Sequence, residues 1–534
     1  MKTLKNIVFY FCTLLLFVGL FHQNPLKAVE NGPDKTYPRP LGVSHLPALD
    51  FHENLSVDRK SKQKERGQLE LAAGNSDVEI EDSQKRSRIK EIKSGVEEYR
   101  CPIILFGLIM GSFTIGAIWY TNLDMDPAGL CKVPNATISV ERLAEHIFDE
   151  ARILNINVQM KQTDWRKLKL EYSLAASDQS FGSAFLPSFS WYDAATNIDG
   201  YEAEKMEIRK KSWYGSFSTT KPGLKLKNTI YDPDVRDDFR TNPMAKVSKF
   251  TLNNSVQDIS YLKQCVAYKI LRNVGIEAPY CQLSHVCVNK ERMGLYISIE
   301  PLVQSFFERY LGHNNLALYE GDITGNGKRW QQLRSDFYPD GIKTYAYKKG
   351  DRQWEQSQAF SDLLSLIEQA GDQELLPHEE DLVEEIIDMP KTLRFFAAEQ
   401  LLRHWDGYIW NNNNNFFYYD YSTKKIAFLP WGTDQTLNSA HLLSMSSARG
   451  NLFKLVLKSK KFRTQLWEEF QLMRDRFGIL LPSLNEYVDE QMELMRPWFY
   501  GEEEQIAEER SRRLKKVLND IANSKQKFDE SWLK

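Results

Sequence analysis

Asp406, the run of five asparagines Asn411–Asn415, and Asp434 stand within thirty residues of one another in an otherwise aromatic stretch. The chemistry that uses such a set is phosphoryl transfer. It needs an acidic side chain facing the nucleophile, and hard oxygen donors from Asp and Asn to hold Mg²⁺ or Mn²⁺ against phosphate. Asp406 and Asp434 are therefore the candidate catalytic acids. Asp434, Asn411, Asn414 and Asn415 are the candidate metal ligands. A plainer reading stays open beside this one: the asparagines form a solvated turn, Asp406 caps a helix end and Trp431 is a core residue.

Two elements must position these groups. Phe395, Phe396, Leu401 and Leu402 recur at near-helical spacing, which predicts an amphipathic helix from Lys391 towards His404 that delivers Asp406. Two strand-like runs, Phe416–Asp420 and Lys425–Pro430, are joined by a Ser-Thr turn and deliver Trp431-Gly432-Thr433-Asp434. The step from Asp406 to Asn411 reproduces the H-x-D-x₄-N order of a kinase catalytic loop.

The rest of the chain sets bounds. Its 534 residues suffice for two to four domains, or one large domain with additions. A net charge of −3 gives no footing for nucleic acid. The six cysteines include no C-x-x-C pair, which argues against a zinc site, and they are too few for a disulfide scaffold.

Residues 1–28 read as a signal peptide or an uncleaved anchor, with Lys2 and Lys5 before an apolar run. Residues 29–101 are charged and poor in aromatics, so they are expected to be a disordered linker. Residues 102–120 contain no charge and are long enough to cross a bilayer, with Trp119 and Tyr120 at one end. Arg86, Arg88, Lys90, Lys93 and Arg100 precede this span, and only Lys132 follows closely. The positive-inside rule then places the N-terminal side of this span in the cytoplasm and the catalytic region outside; with 1–28 cleaved, the protein is expected to be single-pass, anchored through 102–120. In that space Cys131, Cys265, Cys281 and Cys287 could pair. Asn135 and Asn253 begin glycosylation acceptor triplets.

From residue 140 to 230 the pattern is mostly strand. Leu154, Ile156 and Val158 alternate with polar residues, Asp164-Trp165 opens a short helix, and Asp199-Gly200 marks a hairpin turn. Asp258 is placed to cap a helix over Tyr261–Asn273, and a hairpin turns at Asn289–Arg292.

His404-Trp405-Asp406, Asn414-Asn415-Phe416-Phe417-Tyr418-Tyr419 and Pro430-Trp431-Gly432-Thr433-Asp434 together resemble the pattern of the spore coat protein H (CotH) kinase family, an atypical protein-kinase-like family. Many members carry Asp after the Trp, where this chain has Gly432. Arg209-Lys210-Lys211-Ser212 followed by Lys221-Pro222-Gly223 is similar to the family's first module, with Ser212 in place of its usual Gly. Gly294 to Glu300 and Asn315 to Asp322 continue the resemblance, which spans about 140–520.

The resemblance implies an α+β, two-lobed protein-kinase-like fold: a strand-rich N-lobe over 140–320 and a helical C-lobe over 321–525. ATP would bind between them with Mg²⁺ or Mn²⁺. Arg209, Lys211, Lys221 and Lys225 are the candidate phosphate-binding cations, and Glu300 the acid that pairs with one of them. The implied activity is transfer of the γ-phosphate of ATP to Ser or Thr of a secreted, surface or coat protein. Fungal relatives act as surface adhesins, so a non-catalytic binding or structural protein is the alternative.

Overall fold

The computed structural model describes residues 129, 131, 133, 136–171, 189–211, 216–231, 242–321, 335–369, 371 and 373–523. The targeting segment 1–28, the linker 29–101, the expected span 102–120, Ser212 and Asn135 lie outside these residues. Among the described residues no helix is long and apolar enough to cross a membrane.

The first half builds a barrel. Its strands are β1 (Leu154–Gln159), β2 (Tyr192–Ile198), β3 (Tyr201–Lys210), β4 (Leu224–Asn228), β5 (Lys249–Asn253), β6 (Cys281–Val288) and β7 (Glu291–Ile299). They close in the order β1-β2-β3-β4-β5-β7-β6, with β6 returning to β1 as a parallel pair. Side chains alternate in direction along a strand. Leu154, Ile156, Val158, Ile208, Leu224, Leu226, Phe250 and Leu252 therefore fill the barrel core. Arg209 and Lys225, direct cross-strand partners, fall on the opposite face. Both hairpin turns read from the sequence are present. Asp199-Gly200 and Asn289-Lys290 take positive φ at both positions, as tight two-residue turns demand.

The helix expected over Tyr261–Asn273 is α1 (Lys263–Asn273). It starts later because Tyr261 takes φ +60°. Asp258 does cap it, accepting the backbone N–H of Leu262 at 3.1 Å and of Lys263 at 2.9 Å.

The second half is not purely helical. Strands β8 (Leu316–Gly321), β9 (Asp336–Tyr338), β10 (Gly341–Lys343), β11 (Tyr345–Lys349), β12 (Asn415–Asp420) and β13 (Lys425–Pro430) form a four-stranded sheet, ordered β11-β8-β12-β13, and a small β9–β10 hairpin. β8 was expected to end the first lobe, but it hydrogen-bonds between β11 and β12 and so belongs to this second sheet. Around the sheet stand α2 (Met389–Leu402), α3 (Lys460–Met495) and α4 (Glu503–Asn523), besides helices at Gln358–Gln369 and Pro377–Ile386. The helix α2 is not amphipathic as expected. It is wedged between α3 and β13, and even Thr392, Glu399 and Gln400 on it are buried.

Two disulfides stitch the barrel region. Cys131 joins Cys287 on β6, and Cys265 on α1 joins Cys281 on β6.

Candidate active site

The loop carrying Asp406 is held at both ends by buried charges on α2. Arg403 turns the helix off with φ +57°, and its guanidinium bends back to the last carbonyls. Nη1 donates to Gln400 O at 2.7 Å and Leu401 O at 2.8 Å, and Nη2 donates to Ala440 O at 2.9 Å. Helix C-termini favour a cation there, although burial lowers Arg403 to about 10. Glu399 holds the far end, accepting the N–H groups of Tyr408 and Ile409, each at 2.8 Å.

The asparagine run then divides its labour. Asp406 Oδ1 accepts from the side-chain amides of Asn411 and Asn413, and Oδ2 accepts from that of Asn414 at 2.8 Å. The other two asparagines serve the fold. Asn412 donates to the buried Asp336 at 2.8 Å. Asn415, expected as a metal ligand, accepts from Tyr345 Oη at 2.7 Å and donates to Asn413 O at 3.1 Å. Asn412 and Asn414 both sit at positive φ, +48° and +45°. Asparagine tolerates that region better than other side chains, which accounts for two members of the run by backbone shape alone.

The β12–β13 hairpin brings the second acid alongside. Asp434 lies in a short 3₁₀ turn, Thr433–Gln435, and is 7 % exposed. Its carboxylate accepts from Asn253 Nδ2 at 3.3 Å, and the same amide donates to Gln264 Oε1 at 2.7 Å. Asn253 is therefore turned into the site and not presented as a glycosylation acceptor. Burial pushes the Asp434 carboxyl up to about 6; the charges of Asp258 and Asp406 add to the rise and Asn253 opposes it.

Three of the four expected cations converge here. Lys211 Nζ stands 4.9 Å from the Trp431 ring. Burial lowers its ammonium, while Glu320 and Asp434 favour the charged form. Lys225 is pushed down to about 7 by burial and by Lys211, against Glu320. Arg209 lies over Trp191 at 4.7 Å, and its buried Nε has no hydrogen-bond partner. Lys221 goes elsewhere. Its Nζ donates to Tyr261 Oη at 3.2 Å, and its charged neighbours are Glu503 and Arg292. Glu300 also departs from its expected role: Arg309 grips it at 2.5 and 2.6 Å, and Tyr280 N–H donates to it at 2.9 Å.

The acid among the cations is Glu320 on β8, ion-paired to Lys348. Burial would raise its carboxyl, but Lys348, Lys225 and Lys211 outweigh that and hold it below the usual carboxylate range.

A family model described as CotH kinase protein matches residues 207–529, more than half of the chain. The chain belongs to the CotH kinase family. No curated protein matches it. The family match begins within β3, just before Arg209, and takes in all of the converging residues. The two strands that close the barrel, β1 and β2, precede it.

Sequence reasoning missed Glu320, Lys348, Asn413, Asn253 and Gln264. For Glu320 a signal was present, since an acid within the apolar strand Leu316–Gly321 requires a buried cation nearby. Among the described residues no three His, Cys, Asp or Glu side chains gather to hold a metal by themselves. Mg²⁺ commonly takes only one or two carboxylates and completes its shell with phosphates and water. Asp434, buried with a single amide donor, together with Asp406 and the asparagine amides, is an oxygen set of that kind. The unpartnered Arg209 Nε beside Lys211 and Lys225 suits phosphate.

Proposed function

We propose that this CotH-family chain is a membrane-anchored, protein-kinase-like phosphotransferase. It moves the γ-phosphate of ATP to Ser or Thr of an extracytoplasmic protein. The observation that carries the reading is the meeting of barrel cations with three acids from the second half: Arg209, Lys211 and Lys225 against Asp406, Asp434 and Glu320. On this reading the barrel is the counterpart of a kinase N-lobe, and the second sheet with its helices is the C-lobe. Glu320 takes the cation-pairing role first given to Glu300.

Each residue then has a task. Asp434 would hold Mg²⁺ or Mn²⁺, with Asn411 or Asn414 within the same shell. When bound, the cation and ATP supply an electrophilic phosphoryl group with its charge neutralised. Asp406, oriented by three amides, accepts the proton of the acceptor hydroxyl. Lys211, Lys225 and Arg209 bind phosphate oxygens. The two disulfides support an oxidising compartment for residues 129–523, in keeping with an anchor at 102–120.

The test is transfer from labelled ATP by the purified protein with Mn²⁺ or Mg²⁺. Wild type should label itself or an acceptor, and Asp406→Ala and Asp434→Ala should each lower the rate on the order of a hundredfold or more. Absence of both transfer and a nucleotide-dependent rise in Tm overturns the reading.

A further inference from the structure

Asp336 opens β9 and is a carboxylate that the reading above leaves without a task. It is 2 % exposed, and among the described residues no cation forms an ion pair with it. Four donors meet it instead. Oδ1 accepts from Tyr408 Oη at 2.6 Å and from the N–H of Phe337 at 2.9 Å. Oδ2 accepts from Asn412 Nδ2 and from the N–H of Asn451, each at 2.8 Å. Burial pushes the carboxyl up to about 6, while the bonds from Tyr408, Asn451 and Phe337, with Lys454 at longer range, favour the ionised form.

Two of these donors stand in the chain just past Asp406, and one ends the segment that leaves Asp434. Tyr408 and Asn412 bracket the short helix Tyr408–Asn411. Its last residue, Asn411, donates to Asp406 Oδ1, and Asn413 donates to the same oxygen. Asn451 starts the helix Asn451–Val456, and its Nδ2 adds a bond to Phe337 O at 2.9 Å. The two segments also touch directly. Tyr408 Oη accepts the N–H of Leu452 at 3.2 Å, and a β-carbon on Gly450 would stand 2.7 Å from the Tyr408 ring.

Since all four partners donate, the position calls for a side chain that only accepts, which an ionised carboxylate does and an amide does not. An apolar residue would avoid the desolvation of a buried charge. What the charge adds is direction: it fixes two separate segments at one point. We infer that Asp336 is a positioning residue for the reaction, holding the chain after Asp406 against the chain after Asp434 and so setting the amides of Asn411 and Asn413 on the Asp406 carboxylate. This rests on the phosphotransfer reading of the site.

The experiment compares the full chain with Asp336→Asn, which turns an amide N–H towards one of the donors. Hydrogen exchange is followed by peptide, and transfer is followed from labelled ATP. Exchange should quicken in 408–414 and 435–450 and stay unchanged in the barrel strand β1. The kcat should fall about tenfold to a hundredfold, as misplacement by a distant change can produce. The KM for ATP should stay within about twofold, because the barrel cations are untouched, and the nucleotide-dependent rise in Tm should persist. If Asp336→Asn impairs folding, Tyr408→Phe serves: it keeps the ring on Phe396 and removes one donor, and should give the same split with a smaller fall in kcat. An unchanged kcat in the folded variant overturns the inference. So does a rise in exchange spread through the whole chain with kcat and KM changing together. If exchange quickens in the two segments alone but the wild type transfers no phosphate, the clasp stands and the phosphotransfer reading falls.

Discussion

A β-carbon on Gly407 would lie 2.1 Å from Glu399 Oε1 and 2.8 Å from His404 Nδ1. Gly407 has φ −87°, open to any residue, so the contact and not the backbone demands glycine. The close approach lets the Glu399 carboxylate reach the N–H groups of Tyr408 and Ile409. Gly407→Ala is expected to push that carboxylate away and leave buried groups unsatisfied. The cost should be roughly 2–4 kcal/mol in denaturant unfolding, and phosphate transfer should fall because Asp406 is the preceding residue. A variant with wild-type stability and rate would show that Glu399 does not set the loop.

The Cys265–Cys281 disulfide bears on the site as well as on stability. Cys265 follows Gln264, whose side chain and carbonyl contact Asn253 and Thr433 beside Asp434. The cysteines are 16 residues apart in sequence, and a loop of that size is worth about 3 kcal/mol in the chain-entropy account. Cys265→Ser/Cys281→Ser should lose roughly 2–4 kcal/mol of stability and weaken metal-dependent nucleotide binding. Nucleotide affinity unchanged in a folded but destabilised variant would confine the bond to a structural part.

What the sequence made legible was local. The alternation of Leu154, Ile156 and Val158, the two tight turns, the β12–β13 hairpin and the Asp406 and Asp434 positions follow from spacing and turn chemistry that act within a few residues. What escaped depends on distant pairing. Glu300 and Glu320 are both acids near strand ends, and only the insertion of β8 between β11 and β12 puts Glu320 against Lys348 and the barrel cations. Lys221 and Lys225 share a strand-like alternation, yet the chain before β4 carries Lys221 to Tyr261. The five asparagines read as one feature, but the backbone divides them between Asp406, Asp336 and Tyr345.

Lys225 gives nucleotide binding a pH dependence of definite sign. Burial, then Lys211, lowers its ammonium to about 7 in the free site. Above that pH the amine is mainly neutral, and phosphate oxygens favour the charged form, so binding must take up a proton. Affinity should be nearly flat below pH 7 and fall with rising pH above it, by at most about tenfold per unit for one proton. Titration calorimetry at pH 8 in buffers of different ionisation enthalpy reads the uptake. Lys225→Met should reduce it, any remainder belonging to Lys211, whose ammonium burial also lowers. Lys221 is also lowered to about 7 by burial but lies with Tyr261, so Lys221→Met should leave the uptake in place. Loss of uptake in the Lys221 variant alone would exchange the two assignments.

Gly432 and Asn414 should prove coupled. Gly432 takes φ +52°, and a β-carbon on it would meet Asn414 Oδ1 at 2.3 Å and Asn414 Cβ at 3.1 Å. The Asn414 amide in turn donates to Asp406 at 2.8 Å. Gly432→Ala therefore carries two costs: about 1–2 kcal/mol for a side chain in the left-handed region, and the displacement of Asn414 from Asp406. Asn414→Gly removes the obstructing atoms at a position, φ +45°, that glycine occupies without strain. In a double-mutant cycle, adding Asn414→Gly to Gly432→Ala should recover part of the lost stability. The coupling energy should reach at least about 1 kcal/mol, against the near-additivity of independent sites. Transfer should stay low in the double variant, because Asp406 still lacks one of its three amides. Strictly additive stabilities would show that backbone strain alone fixes glycine at 432. Full recovery of transfer would show that Asn414 orients nothing.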